Sequence, residues 1–345
     1  MRTAAIAHAV QLTPATAARR GPSEQRMLHV DRKRGRVVPA RLSDVLHTVE
    51  PGDLWVLNDA ATIPASLRVR VQGRALEIRL AQATTRGTWW AVLFGEGSWR
   101  DDTDLRPAPP SVSPGEALGL EDGSALTVVR AGRLIEVRFP TSGDAFWQQL
   151  YRLGRPVQYS YHTRPLPLSE VQTPYAARPW ALELPSAGRP LTTELLGALR
   201  RRGVELSTLT HAAGLSATGD PALDRSLPLP ERFHIPARTA DAVRRAKDEG
   251  RRVVAVGTSV TRALEGVVRE RGRVVQGEGE TSLKIGRDTS LAIVDALLTG
   301  AHDPMSSHHA LLEAFAPRPL LTRALSASVR HGYRGHELGD SWLIT

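Results

Sequence analysis

Gly257, Thr258 and Ser259 follow a short β-branched run, Val253–Val256, and precede a segment of helical spacing, Val260–Arg269. A strand that breaks at glycine and resumes as a helix leaves free N–H groups at the mouth of a sheet. Such a turn suits an anionic or carboxylate-bearing ligand, although a plain structural turn fits these residues equally well. Asn58 and Asp59 close a second apolar run, Leu54–Leu57. Strand ends at a sheet edge are common places for functional carboxylates, the alternative here being an Asx turn ahead of Pro64. His302 offers an imidazole that titrates near neutral pH when unperturbed, or an ordinary hydrogen-bonded loop histidine. Arg262 and Glu265 lie one helical turn apart, a spacing that serves an internal ion pair as well as a ligand. His308 and His309 are adjacent, so on a helix they point in different directions and predict no metal site.

Elements of two textures must position these groups. Met27–Val30, Val37–Leu42 and Leu54–Leu57 are short apolar runs separated by charged turns, hence strands. From Leu67 the pattern alternates strictly, in LRVRV at 67–71 and LEIRL at 76–80. Thr88–Phe94, Leu126–Val129 and Leu134–Phe139 follow with short turns. Period-two alternation at this spacing predicts an antiparallel sheet or barrel with one face buried. Residues 68–149 are therefore read as an all-β domain inserted into an α/β host formed by residues 1–67 and 150–345. Tyr151–Pro190 is rich in proline, tyrosine and arginine and lacks periodicity, which marks a long ordered connection of the kind that often carries function. Beyond it, Thr192–Arg202 reads as a helix with Thr192 as N-cap and Gly203 at its end. Val204–Thr210 is a strand, Gly214–Pro230 a loop and Thr239–Glu249 a helix closed by Gly250. Ser307–Phe315 and Ala324–His331 are further helices.

Composition excludes several classes. The 345 residues contain no cysteine, so disulfides, thiolate nucleophiles and cysteine metal sites are absent. No apolar run approaches membrane-spanning length, and Met1–Gly21 lacks the hydrophobic centre of a signal peptide, so a cytoplasmic protein is expected. The formal charge of +9 points toward polyanions. Lysine is confined to Lys33, Lys247 and Lys284, however, and the arginine pairs sit near helix ends, where cations are favoured anyway.

An ordered set of boxes carries a resemblance. The chain reads PGDLWVLNDAATIPASL at 51–67, VQTPYA at 171–176 and PSAGRPLT at 185–192. It continues with AVGTSVTRALE at 255–265, IVDALLTGAHDPMSS at 293–307 and YRGHELGDSWLI at 333–344. Together these resemble the S-adenosylmethionine:tRNA ribosyltransferase-isomerases of queuosine biosynthesis, over about residues 27–345. The resemblance implies an α/β host with an inserted antiparallel β-barrel and no metal. It also implies S-adenosylmethionine as ribosyl donor: a base acts near C5′, an amine on a 7-deazaguanine attacks, and adenine and methionine leave. Carried over residue by residue, it implies His302, Asp59 and Glu265 as candidates for acid–base work. Asn58, Gly257, Thr258, Ser259, Arg262, Asp295, Tyr333 and Asp340 become candidates for holding S-adenosylmethionine.

Departures from the family pattern fall in the motif loops. Ala61 and Ser66 replace arginines, Arg189-Pro190-Leu191 replaces Leu-His-Phe, and Met305 replaces the lysine of the PKST box. Gly335-His336-Glu337-Leu338 replaces an aromatic run, and Ala212 stands at a histidine position that a one-residue shift would give to His211. Loss of cations and aromatic planes removes what holds a splayed-out base and its phosphates. The expectation is accordingly an enzyme of this chemistry acting on a different, smaller acceptor. A divergent enzyme acting on tRNA, and a non-catalytic S-adenosylmethionine-binding paralogue, stand as the alternatives.

Overall fold

The computed structural model describes residues 12–17, 24–304 and 306–345. Most of the Met1–Gly21 stretch and the substitution at Met305 therefore lie outside the described residues. The host is built on a nine-stranded mixed sheet. Its strand order is 277–281, 231–235, 205–211, 54–58, 253–256, 296–300, 341–344, 26–31 and 36–41. The middle strands Glu205–His211, Leu54–Asn58, Val253–Val256 and Ala296–Gly300 run parallel. Leu54–Asn58 is buried at every position, as a parallel strand covered on both faces must be, which explains its unbroken apolar run. Alternate residues serve the two faces: Leu54, Val56, Val253 and Ala255 face helices Ala237–Asp248 and Thr258–Arg271. Trp55, Leu57, Val254 and Val256 face helix Thr193–Arg201 and the 3-10 turn Leu42–His47.

Six antiparallel strands, Ser66–Val71, Arg74–Ala83, Trp89–Leu93, Ala117–Leu120, Ala125–Arg130 and Ile135–Arg138, close into a barrel. Leu67, Val69 and Val71 point inward while Arg68 and Arg70 are exposed, the alternation legible in the sequence. The stretch read as all-β through Gln149 nevertheless ends in a helix, Gly143–Leu153, whose Phe146 and Leu150 pack onto the barrel core. Apolar residues at 146 and 150 sit on one helical face, a period overlooked beside the strand pattern.

Smaller differences have local causes. The helix after Val253–Val256 starts at Thr258 rather than Val260, because Gly257 takes φ +97° and completes the turn in one residue. The last helix runs Arg318–Arg330, beginning six residues before the expected Ala324, with Pro319 in its first turn. The loop 214–230 contains a short helix, Pro221–Asp224, capped by Asp220.

Candidate active site

The parallel strands end together at one edge of the sheet, where α/β proteins characteristically bind ligands. A cavity of about 310 Å³ opens there. Gly257, Thr258, Ser259 and Arg262 form one wall, at the amino end of the 14-residue helix Thr258–Arg271. His302 and His308 form another, their rings stacked at 5.0 Å. His302 Nε2 lies 2.7 Å from Thr299 Oγ1, and His308 Nδ1 lies 3.1 Å from Thr258 Oγ1. Arg262 is 6% exposed; Nε donates to the Leu283 carbonyl at 3.0 Å and Nη1 donates to Glu231. Its Nη2 is buried without a hydrogen-bond partner.

The opposite wall comes from the long connection and from the last motif loop. Tyr159 and Tyr161 stack at 5.9 Å. Tyr159 Oη donates to Glu183, which also accepts from the Ser216 hydroxyl and, at 2.8 Å, from the Ser216 N–H. Tyr161 Oη donates to Glu337. The barrel steadies this wall: the buried Arg79 guanidinium lies 5.1 Å from the Tyr159 ring and 4.6 Å from Phe94, and donates to the Gln158 carbonyl at 3.1 Å.

Burial sets the charge state. It pushes the Glu183 carboxyl up to about 7, with repulsion from Glu337 adding to the rise and the Ser216 and Tyr159 donors opposing it. Glu337 is likewise raised by burial, and both tyrosines are raised by burial and then by their carboxylate partners. The imidazoles move the other way. Burial and the neighbouring histidines hold His302 well below its ordinary value, while burial and Arg262 lower His308 to about 4. Near neutral pH the cavity therefore presents neutral imidazoles on one wall and, on the opposite one, tyrosine hydroxyls with two carboxyls of raised pKa, while Arg262 supplies a guanidinium among the described lining residues.

Several residues singled out by sequence are placed elsewhere. Glu265 is 1% exposed and accepts from the N–H groups of Ala292, Ile293 and Val294 at 2.8–2.9 Å, so its carboxylate organises a loop behind the site. Asp295 pairs with Lys247 and accepts from the Val253 N–H at 2.8 Å, at the opposite, amino end of the strands. Tyr333 Oη donates to the Met27 carbonyl at 3.0 Å, and Asp340 accepts from the N–H groups of Arg26 and Arg334. Asn58 Oδ1 accepts from Ala60 N–H at 3.1 Å, the Asx turn foreseen as the alternative, and from His211 N–H at 2.9 Å. Its Nδ2 reaches the cavity residue Ser259 at 3.3 Å, a positioning contact. Asp59 accepts from the Thr210 hydroxyl at 2.6 Å and does not line the cavity.

Tyr159, Tyr161, Glu183 and Glu337 escaped the sequence reading. The available signal was Glu183 itself, a carboxylate inside the apolar run Ala181–Leu184, since buried acids are rare without a partner or a task. Among the described residues no cluster of three or more histidines and acids could hold a metal, and no helix is long and apolar enough to cross a membrane.

The sequence matches the family model described as queuosine biosynthesis protein over residues 8–344. It is 38% identical to an S-adenosylmethionine:tRNA ribosyltransferase-isomerase of Thermus thermophilus over 90% of this chain and 89% of that protein. A protein of the same name from Syntrophotalea carbinolica is 35% identical over 92% of both chains. The crystal structure of S-adenosylmethionine tRNA ribosyltransferase from Thermotoga maritima superposes with a TM-score of 0.55 at 24% identity, covering 97% of this chain and 98% of that one, and shares the fold. A match to the family model from end to end, on a host sheet with a closed six-stranded barrel, makes this chain a member of the queuosine biosynthesis protein family of ribosyltransferase-isomerases.

Proposed function

We propose that this chain transfers and isomerises the ribosyl group of S-adenosylmethionine onto an amine of a 7-deazaguanine in tRNA, with adenine and methionine leaving. The observation that carries the proposal is the charge of the cavity. Glu183 and Glu337 are buried carboxyls along one wall of a cavity whose imidazoles are neutral, and a ligand bearing a sulfonium and an ammonium group would draw them toward their ionised forms. A volume of about 310 Å³ falls in the range of small-molecule sites. The unpartnered Nη2 of Arg262 and the N–H groups of the Thr258–Arg271 helix offer a seat for a carboxylate. The tyrosine and histidine rings offer planes for adenine.

Within this site two groups are suited to proton transfer. Glu183, with its pKa raised to about 7, is matched to exchange a proton near neutral pH. His302 is neutral and has a ring nitrogen oriented by Thr299, which suits hydrogen bonding to a ligand more than strong basicity. Arg262, Thr258 and Ser259 bind and orient. The carry-over of acid–base roles to Asp59 and Glu265 has no support in their surroundings.

The expectation of a smaller acceptor is not retained. It rested on the joint loss of cations and aromatic planes from the motif loops; of those positions Met305 lies outside the described residues, and Ala61 and Ser66 have structural work here. Ala61 pairs with Pro179 in a two-stranded parallel ribbon, and the Ser66 hydroxyl donates to Glu77 at 2.8 Å within the buried Glu77–Arg79–Arg106 cluster. Neither residue argues against tRNA, nor does any feature favour a non-catalytic paralogue. The test is incubation with S-adenosylmethionine and tRNA carrying the aminomethyl-deazaguanine precursor, following adenine and methionine by chromatography. Equal release of both, dependent on the precursor base, supports the proposal; no release with any tRNA refutes it.

A further inference from the structure

A second, smaller pocket of about 120 Å³ lies behind the main cavity, in the cleft where barrel and host sheet meet. Trp89 of the barrel, Trp147 of the helix that follows it and Trp180 of the long connection line it, and all three are half-buried. Gly214, Leu215, Leu227 and Glu231 belong to both pockets and form the partition between them. Arg232, a lining residue, is exposed, lies 3.9 Å over the Trp180 ring and pairs with Glu278 at 2.6 Å; Arg178, exposed and outside the lining, lies 5.7 Å from the same ring.

We propose that this tryptophan pocket seats the acceptor base, flipped from its nucleic-acid strand, with its amine directed at the wall shared with the main cavity. The inference rests on the tRNA reading above. Three features favour a nucleobase over an apolar side chain. Half-buried indoles can stack a base as single-stranded nucleic-acid binders do, on the face of Trp180 that Arg232 does not cover and the face of Trp89 that Phe146 does not cover. Two exposed guanidinium groups beside Trp180, those of Arg178 and Arg232, complement the phosphates of an extruded nucleotide. The shared wall carries Glu231, whose carboxylate already accepts from Gly214 N–H at 2.8 Å and from Arg262, and so places an acceptor atom between the two chambers.

The test is Trp180→Ala and Trp180→Phe in the full chain, with tRNA kinetics, S-adenosylmethionine affinity by calorimetry, and fluorescence titration with free 7-aminomethyl-7-deazaguanine. Loss of a base stack predicts a rise of roughly tenfold to hundredfold in KM for tRNA in Trp180→Ala, with Trp180→Phe near wild type. S-adenosylmethionine affinity stays unchanged, which also shows that the variant is folded. The free base quenches wild-type tryptophan emission and quenches that of Trp180→Ala less. An unchanged KM for tRNA in Trp180→Ala, or an equal loss of S-adenosylmethionine affinity, overturns the pocket assignment while leaving the tRNA reading intact. If wild-type protein releases no adenine with any tRNA, the functional reading fails, and quenching by the free base still decides whether the pocket takes a base.

Discussion

Replacing Glu265 by alanine separates a structural role from a chemical one. Three backbone N–H groups, of Ala292, Ile293 and Val294, donate to this carboxylate, and the residue is 1% exposed. Hydrogen bonds to a charged acceptor are each worth about 1.5–3 kcal/mol, and removing the acceptor strands buried donors. The three bonds share one carboxylate and are not additive, so the loss is set at about 3–5 kcal/mol, the cost typical of breaking a buried charged network. Glu265→Gln keeps one acceptor oxygen and loses the charge, and falls between wild type and alanine. Urea unfolding followed by circular dichroism reads the loss as a lower midpoint at an unchanged slope. Assayed well below its midpoint, the folded variant keeps wild-type kcat, because the tethered segment lies behind the strand that delivers His302 and does not line the cavity. A variant with wild-type stability and a kcat reduced by orders of magnitude would refute this reasoning and return Glu265 to the chemistry.

Other consequences follow from the same geometry. With the Glu183 carboxyl raised to about 7, the folded chain holds this proton more tightly than the unfolded chain does. Its contribution to stability is therefore present below the ordinary glutamate range and lost as pH rises through about 7. A cationic ligand needs the ionised form, so S-adenosylmethionine affinity should strengthen over that window with proton release, seen as buffer-dependent calorimetric heats, and the dependence should vanish in Glu183→Gln. Gly257→Ala should cost about 1–3 kcal/mol from the φ of +97° alone, since the added carbon meets the Ala187 and Ser259 side chains only at 3.5 Å. Thermal unfolding measures that loss, and a neutral outcome contradicts it. A host of residues 1–67 and 150–345 with an inserted 68–149 domain predicts two hydrogen-exchange units, one for the barrel cluster and one for the clusters on the two faces of the host sheet, and a single cooperative unit would count against that division.

The frame was legible in the sequence because local patterns and tertiary environment agree. Alternation in 67–71 survives as a barrel strand with one face exposed; 76–80 is also a barrel strand, but its polar face is buried too, with Glu77 paired to Arg79 and Arg106; the β-branched run before Gly257 survives as a parallel strand opening into a helix. Half of the cavity was legible for the same reason: Gly257, Thr258, Ser259, Arg262 and His302 are carried by regular elements or lie directly after one. The other half was not. Tyr159, Tyr161 and Glu183 stand in a connection without periodicity, and their meeting with Glu337 depends on contacts across more than 150 residues, such as Tyr161 to Glu337. Asp295, Tyr333 and Asp340 show the converse. Each bonds backbone groups through its side chain, a demand that looks the same as ligand contact in a one-dimensional pattern.

The central claim is that this chain gives the ribosyl carbons of S-adenosylmethionine to a base in tRNA. Carbon-13 confined to those ribosyl carbons is its most direct test, with the treated tRNA digested to nucleosides and weighed by mass spectrometry. The account predicts that the precursor nucleoside gains the whole labelled ribosyl unit while unlabelled adenine and methionine appear in solution. Label that never enters tRNA, or a nucleoside that gains only an unlabelled methyl group, would contradict it.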